Sequence, residues 1–222
     1  MTDAAKKRTW TKRIAFHILG MVVMAFGISM SIRAGIGVPP GGAIPYAVSR
    51  LSPLSIGQSS ALFQIFCVLI QIAVMRRMTL NFALQMPMAY VFGLFVDFFF
   101  GLLDIGSPDM WFRVLFLVAA LIIFSFGIRV LIGANVLLPP PDGLAQTMGN
   151  IFGWPMSKAK LVFDIVVVAI AALLTLVMAG NAFLVVGVGT VICAIGTGPI
   201  IGFFTKLFPV FDVGKKAAKK DA

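Results

Sequence analysis

The chain has few charged residues, and this scarcity limits the class of protein to which it can belong. Only 12% of its 222 residues are charged, whereas 60% are hydrophobic, and its mean hydropathy is +1.03. A water-soluble domain needs about a quarter of its residues charged to cover its surface. The composition therefore excludes a soluble enzyme, a disordered tail and a nucleic-acid-binding module, and it predicts a protein that lies in the lipid bilayer.

The sequence is also poor in the residues that build catalytic and metal centres. It contains one histidine, two cysteines and no glutamate. These numbers exclude a zinc-protease motif and a cysteine-based zinc framework, and no phosphate-binding glycine loop or nucleophile elbow occurs. We therefore expect no enzyme activity, no cofactor and no bound metal. The single histidine, His17, lies one turn from the basic N-terminal segment, so we expect it at the membrane interface.

The charges that are present are mostly basic, with 18 lysines and arginines against 8 acidic residues. Basic residues cluster near both ends of the chain and at two places between long apolar stretches. This distribution is typical of a polytopic membrane protein whose basic segments stay in the cytoplasm. The clusters lie at residues 6–13, at Arg76 and Arg77, at Lys158 and Lys160, and at residues 206–220.

Six apolar stretches are long enough to cross a bilayer, which takes about 20 residues per helix. Residues 165–205 carry no charge and are long enough for two spans, so they must fold back at Ala179-Gly180-Asn181. An even number of spans between two basic tails predicts that both termini are cytoplasmic. The predicted fold is an all-α transmembrane helix bundle. Its spans cover residues 14–32, 57–75, 80–103, 111–132, 161–178 and 182–204.

An internal repeat relates the two halves of the sequence. An offset of 100 positions aligns Pro39-Pro40 with Pro139-Pro140, within eight identities over the 39 positions from Gly27 to Ile65; chance similarity between apolar helices is the alternative. Three spans per unit would make the second unit enter the membrane from the opposite side. The sequence thus predicts an inverted 3+3 repeat, which many transporters and some channels have. The predicted segments are a basic tail (1–13), two repeat units (14–106 and 107–207) and a second basic tail (208–222).

Each repeat unit has a helix break after its first span. Paired prolines remove backbone donors and disfavour helix in the preceding residue. The short segments that follow are either re-entrant half-helices whose N-termini face a cavity, or interfacial helices. We predict that the break residues form a substrate site together with Gln64, which lies on a polar face of the second span. The break residues are Pro39, Pro40, Gly41 and Gly42 in the first unit, and Pro139, Pro140, Asp142 and Gly143 in the second.

Three charged residues fall inside predicted spans, where a charge costs a few kcal/mol. Arg129 and Asp164 both lie toward the cytoplasmic ends of adjoining spans, so we expect an ion pair between them. Snorkelling of Arg129 to the interface is the alternative. Asp97 lies toward the other side of the membrane, with Arg33 and Arg113 as candidate partners. If Asp97 has no partner, it is the best candidate for a group that couples transport to a proton or cation.

Three short motifs resemble those of a known family of small membrane proteins. They are Gly27-Ile28, the glycine-rich proline break at residues 35–40, and Leu54-Ser55-Ile56-Gly57. From Thr11 to about Pro209 the chain is similar to the bacterial YczE/YyaS/YitT family. Family members more often carry tryptophan and aspartate after the break proline, whereas here only the second unit has the aspartate, Asp142. The resemblance implies a multi-pass protein of the bacterial inner membrane with a transport function, but it does not specify a substrate.

These features support two main hypotheses about function. The first is a secondary transporter or permease for an unidentified small molecule, with a midplane site between the two repeats. The second is a substrate-capture or assembly subunit of a larger membrane complex, without transport activity of its own. Six spans are few for a carrier unless it dimerises; a passive channel is a third possibility. The expected partners are the lipid bilayer, the small-molecule substrate, and either a second copy or a partner subunit, but no nucleic acid.

Overall fold

The computed structural model describes residues 3–106 and 109–208, and all regular elements in these two ranges are helical. They comprise eight α-helices and one short 3₁₀ helix, Ala182–Leu184. The α-helices are α1 (Asp3–Ala34), α2 (Pro40–Leu51), α3 (Ile56–Met75), α4 (Leu80–Leu102), α5 (Met110–Ala134), α6 (Pro140–Phe152), α7 (Met156–Ala179) and α8 (Val188–Leu207).

Six of these helices are long and apolar enough to cross a membrane, which confirms the predicted number of spans. They are α1 from Trp10 onward, α3, α4, α5, α7 and α8. The predicted bounds are least accurate at the C-terminal end. The chain does turn at Gly180, which adopts the left-handed conformation (φ 67°) that ends α7. However, α8 begins only at Val188. The residues between the turn and Val188 form the 3₁₀ helix and a short non-helical segment, 185–187.

The predicted basic tails are only partly described. At the N-terminal end α1 extends back to Asp3, so residues 3–13 continue the first span as helix. At the C-terminal end, residues 209–222 of the predicted tail lie outside the described residues. The predicted boundary between the repeat units falls between residues 106 and 107. Because residues 107 and 108 lie outside the described residues, this boundary stays a prediction.

The two short helices, α2 and α6, begin at the proline pairs themselves. Pro40 and Pro140 each occupy the first turn of a helix, where a missing backbone N–H costs nothing and the fixed φ favours helix. The preceding prolines, Pro39 and Pro139, are extended (ψ 145° and 137°). The second proline of each pair therefore starts a helix, so that α2 and α6 include break residues rather than only the segments that follow the breaks.

The bundle is built around α1, which packs along α5. Glycines allow close approach of these two helices: a Cβ atom on Gly27 would lie 2.6 Å from the backbone nitrogen of Phe124, and one on Gly127 would lie 2.5 Å from that of Met24. Helix α4 packs on α1, and α8 packs on α5. The short helices α2 and α6 each contact both α3 and α7. This arrangement directs the start of both short helices toward the middle of the bundle.

Replacing Gly27 by valine tests the close packing of α1 on α5. We expect the free energy of unfolding to fall by about 1–3 kcal/mol, because the new side chain overlaps the backbone of α5. The measurement is a denaturant titration of the purified protein in detergent. Gly198→Val on α8 is the matched control, since a Cβ atom there meets nothing within 4 Å. Equal losses in the two variants would contradict this account of the α1–α5 contact.

Candidate functional site

Both proline breaks border a single cavity of about 440 Å³, which we call the central cavity. Its wall includes Pro39 and Pro40 at the start of α2, and Pro139 at the start of α6. Residues from the middle of four spans also line it: Met24, Gln64, Phe92 and Phe124. So do Ile132, Met156 and Ile201, which lie toward span ends. The starts of α2 and α6 therefore face the interior of the bundle, and the re-entrant form of these segments stays a prediction.

Three charged side chains stand together on one wall of the central cavity. Asp142 is in the first turn of α6, where the positive end of the helix dipole stabilises a carboxylate. Lys160 and Asp164 are one turn apart on α7. The Lys160 ammonium lies 2.9 Å from Oδ1 of Asp142 and 2.7 Å from Oδ1 of Asp164. Lysine thus links the broken helix α6 to the span α7, and we call these three residues the charged triad.

The predicted ion pair between Arg129 and Asp164 is wrong. Asp164 pairs with Lys160, which lies one turn away on the same helix. Arg129 is buried on α5 and donates from Nη2 to the backbone oxygen of Phe208 at 3.2 Å, at the C-terminal end of α8. Because Arg129 is only 2% exposed, it does not snorkel to the surface either. Hydropathy indicates the position of these residues along their spans but not the rotation of α5, which directs Arg129 toward the C-terminal end of α8.

Asp97 is hydrogen-bonded at the start of α3, and its role as a coupling group stays a prediction. Its Oδ1 accepts the backbone N–H of Gly57 at 2.7 Å, and its Oδ2 accepts the Ser55 hydroxyl at 2.5 Å. Ser55 is itself the N-cap of α3, which makes Asp97 a second cap contributed by α4. Arg33, a predicted partner of Asp97, instead stacks on the Phe100 ring at 3.8 Å.

The other predicted site residues divide among different surroundings. Gly41 lines the central cavity, whereas Gly42 packs against the side chain of Ile28. Pro140 lines a small adjoining space of about 20 Å³, which we call the neck. Gly143 lines a second, larger cavity of about 600 Å³, which we call the outer chamber. A Cβ atom on Gly143 would lie 2.8 Å from Oε1 of Gln71.

The backbone at both breaks is hydrogen-bonded, but by different groups. At the first break, the Ile36 carbonyl accepts the N–H of Gly189 at 2.9 Å and the Val38 N–H donates to the Thr190 hydroxyl at 3.2 Å. At the second break, glutamine side chains donate to the backbone: Gln85 to the Leu138 carbonyl at 2.9 Å and Gln71 to the Pro140 carbonyl at 3.2 Å.

Several residues of this region were not identified from the sequence. His17 is 4% exposed and lines the neck, so its side chain faces the interior of the bundle. Its predicted depth at the membrane interface stays a prediction. Lys160 falls among the predicted cytoplasmic cations, because the hydropathy of a segment does not indicate which charged residues form ion pairs. Gln85 is the one of these residues that the sequence could indicate. It lies in an otherwise apolar span, and a buried amide requires hydrogen-bond partners.

The geometry of the site offers little for metal binding. Within residues 3–106 and 109–208, no three histidine, cysteine or acidic residues lie close enough together to hold a metal ion. The two carboxylates of the charged triad already share the ammonium of Lys160. The groups that line the cavity offer apolar contact, hydrogen bonding and charged partners at Lys160.

Comparison with known proteins identifies relatives but no activity. The model of a family described as "Family of unknown function (DUF6198)" matches residues 11–206. The chain is 26% identical over 198 residues to the uncharacterized membrane protein YczE of Bacillus subtilis (strain 168), covering 89% of this chain and 87% of that protein. No solved structure matches the chain. The predicted resemblance to YczE-like proteins is confirmed.

Asp97→Ala tests whether Asp97 is a helix cap. We expect the free energy of unfolding to fall by about 0.5–2 kcal/mol, because the start of α3 loses the acceptor for the Gly57 N–H and the Ser55 hydroxyl. Denaturant titration in detergent measures the loss, and Asp104→Ala in the loop after α4 is the control. A variant of full stability would show that the cap contributes nothing measurable.

Proposed function

We propose that this chain, which belongs to the DUF6198 family of membrane proteins, is a secondary transporter or permease that binds a small solute in the central cavity. The observation that carries the proposal is the convergence of both proline breaks on that one cavity, which is lined by residues 39–41 of the first break and by Pro139, Pro141 and Asp142 of the second. Transporters commonly bind their substrates between broken helices at mid-membrane.

The size and lining of the central cavity support this proposal. Its volume of about 440 Å³ lies within the range of about 300–1,000 Å³ that is usual for small-molecule sites. Most of its wall is apolar, including Phe63, Phe92 and Phe124. The polar groups are concentrated at the charged triad and at Gln64. A wall of this composition suits a small molecule with an apolar part and one or two polar groups.

Part of the packing of the helices supports the inverted repeat that the proposal requires, although the packing of α3 on α4 has no counterpart between α7 and α8. In such a repeat, α1 to α4 correspond to α5 to α8. The contact of α1 with α4 then matches that of α5 with α8, and the contact of α2 with α3 matches that of α6 with α7. The contact of α2 with α7 likewise matches that of α6 with α3. Rocking of one unit against the other would then expose the central cavity to the two membrane faces in turn.

The charged triad lies within the second repeat unit, at the wall of the central cavity. Asp142 belongs to α6, whereas Lys160 and Asp164 belong to α7, so the Lys160–Asp142 pair links two helices of that unit. The formal charges of the triad sum to −1. A proton can neutralise the excess carboxylate, and its binding would thereby change which carboxylate holds Lys160. We assign the triad to solute binding and coupling on this basis.

A second candidate function is a substrate-capture or assembly subunit. It is favoured by the low burial of α7 and α8. Only 17% of the residues in the apolar part of each of these spans are buried in the bundle, against 56% in α1. Uncovered helix faces of this kind suit either lipid or another protein, such as a second copy or a partner subunit. In either function the protein would lie in the bacterial inner membrane, with both termini in the cytoplasm.

Binding and uptake by the purified protein distinguish these functions. A panel of amino acids, sugars, polyols, organic amines and organic acids is first tested for a rise in melting temperature. The radiolabelled binder is then offered to sealed vesicles that contain this chain alone. A transporter gives saturable uptake, a channel gives flux that does not saturate, and a capture subunit gives binding without uptake.

Lys160→Met tests the role of the charged triad in the proposed uptake. Removing the ammonium leaves two carboxylates facing each other at the cavity wall, so we expect uptake to fall by about tenfold or more. Lys158→Met is the matched control, because Lys158 lies on the same helix but is exposed and contacts the partly buried ring of Trp154 at 4.7 Å. If the two variants retain equal uptake, the triad has no part in transport.

A further inference from the structure

The central cavity, the neck and the outer chamber adjoin one another. The neck shares Met24, Gln64 and Phe92 with the central cavity, and it shares Gln85 and Leu137 with the outer chamber. With a volume of about 20 Å³, the neck has room for little more than one water molecule. The neck therefore lies between the two large spaces, and it is too small for a solute to pass unless a side chain moves.

Leu138 is the side chain placed to control this constriction, because it lines all three spaces. It lies in non-helical backbone directly before the Pro139–Pro140 break. Its carbonyl accepts a hydrogen bond from Nε2 of Gln85 at 2.9 Å. Leu138 can therefore move without the disruption of a helix, and one side-chain hydrogen bond holds it in place.

Two buried polar atoms in the neck can each form a further hydrogen bond. His17 and Gln85 are each 4% exposed and line the neck. Nδ1 of His17 and Oε1 of Gln85 have no hydrogen-bond partner within the described part of the chain. Since buried polar atoms are costly when they are not hydrogen-bonded, these two atoms favour a passing molecule that can bond to them.

The outer chamber has an unusual chemical lining. None of the described residues on its wall is charged, but six of them carry a side-chain amide: Gln71, Asn81, Gln85, Asn135, Gln146 and Asn150. Each amide offers both donors and an acceptor. A charged solute that lost its water here and in the neck would find no opposite charge, and this loss of hydration is costly. An uncharged solute with several hydrogen-bonding groups would find hydrogen-bond partners.

From these contacts we propose that the outer chamber is a second solute site for uncharged, hydrogen-bonding molecules. Leu138, held by Gln85, is the gate between this site and the central cavity. The proposal rests on the proposed transport function, because it describes the path by which the solute reaches the central cavity. The solute is neutral in the outer chamber and in the neck, and it meets charged groups only at the charged triad.

Thiol labelling tests the gate without requiring a known solute. The background is the full chain with Cys67→Ala and Cys193→Ala, which removes the two buried native thiols. Ser60→Cys reports on the central cavity, and Gln146→Cys reports on the outer chamber. The probe is hydroxyethyl methanethiosulfonate, which is small, uncharged and water-soluble, and the reaction rate is measured on the purified protein in sealed vesicles.

Changing the gate should alter the labelling rate of Ser60→Cys but not that of Gln146→Cys. Gln85→Leu removes the hydrogen bond to Leu138, so we expect labelling about threefold faster. Leu138→Trp overfills the neck, so we expect labelling about tenfold slower. The matched controls, Leu84→Ala on α4 and Leu69→Trp on α3, lie on exposed faces and should leave both rates unchanged. Unchanged labelling of Ser60→Cys in both gate variants overturns the gate.

Charged reagents test the class of solute. Trimethylammonium-ethyl and sulfonatoethyl methanethiosulfonates carry a positive and a negative charge on a similar frame. After division by their rates at Gln146→Cys, both should label Ser60→Cys about tenfold more slowly than the uncharged reagent. Equal corrected rates overturn the selectivity for uncharged molecules. Gated labelling without any solute uptake would reject the transport function alone, whereas uptake without gated labelling would reject the gate alone.

Discussion

The structure depends on one constraint, which is that backbone polar groups inside a membrane protein must be hydrogen-bonded. A continuous helix meets this requirement by itself, but two helix breaks in the middle of the bundle do not. The carbonyls of Ile36, Leu138 and Pro140 are all buried near the breaks and all have partners. The residues that provide these partners also determine where cavities can form, because each one ties a break to a neighbouring span.

The two breaks meet this constraint in different ways, and the shape of the interior follows from the difference. At the first break, the start of α8 lies directly against residues 36–38, and Gly37 is close to the backbone of Gly189 and Thr190. That side of the central cavity is filled. At the second break, the long side chains of Gln71 and Gln85 bridge the gap, and the outer chamber opens beside them. The interior is accordingly closed at one break and open at the other.

Much of this architecture could be predicted from the sequence, because hydropathy and proline position report length and depth. The six spans, the two breaks and the placement of Pro39 and Pro139 at one central site follow from those signals. The pairing of Lys160 with Asp142 and Asp164, the burial of His17 and the cap formed by Asp97 did not follow. Those contacts depend on how each helix is rotated about its axis, and a uniformly apolar span carries no signal for rotation. The inverted repeat stays a prediction.

The use of glutamine at one break and of backbone at the other has an evolutionary consequence. A single nucleotide change can replace Gln85 or Gln71 and so alter how firmly residues 138–140 are held. No such change can remove the N–H of Gly189, because every residue except proline supplies that group. Related proteins can therefore diversify the open end of the bundle by point mutation, whereas at the filled end a point mutation can remove the Thr190 hydroxyl but not the hydrogen bond from Gly189.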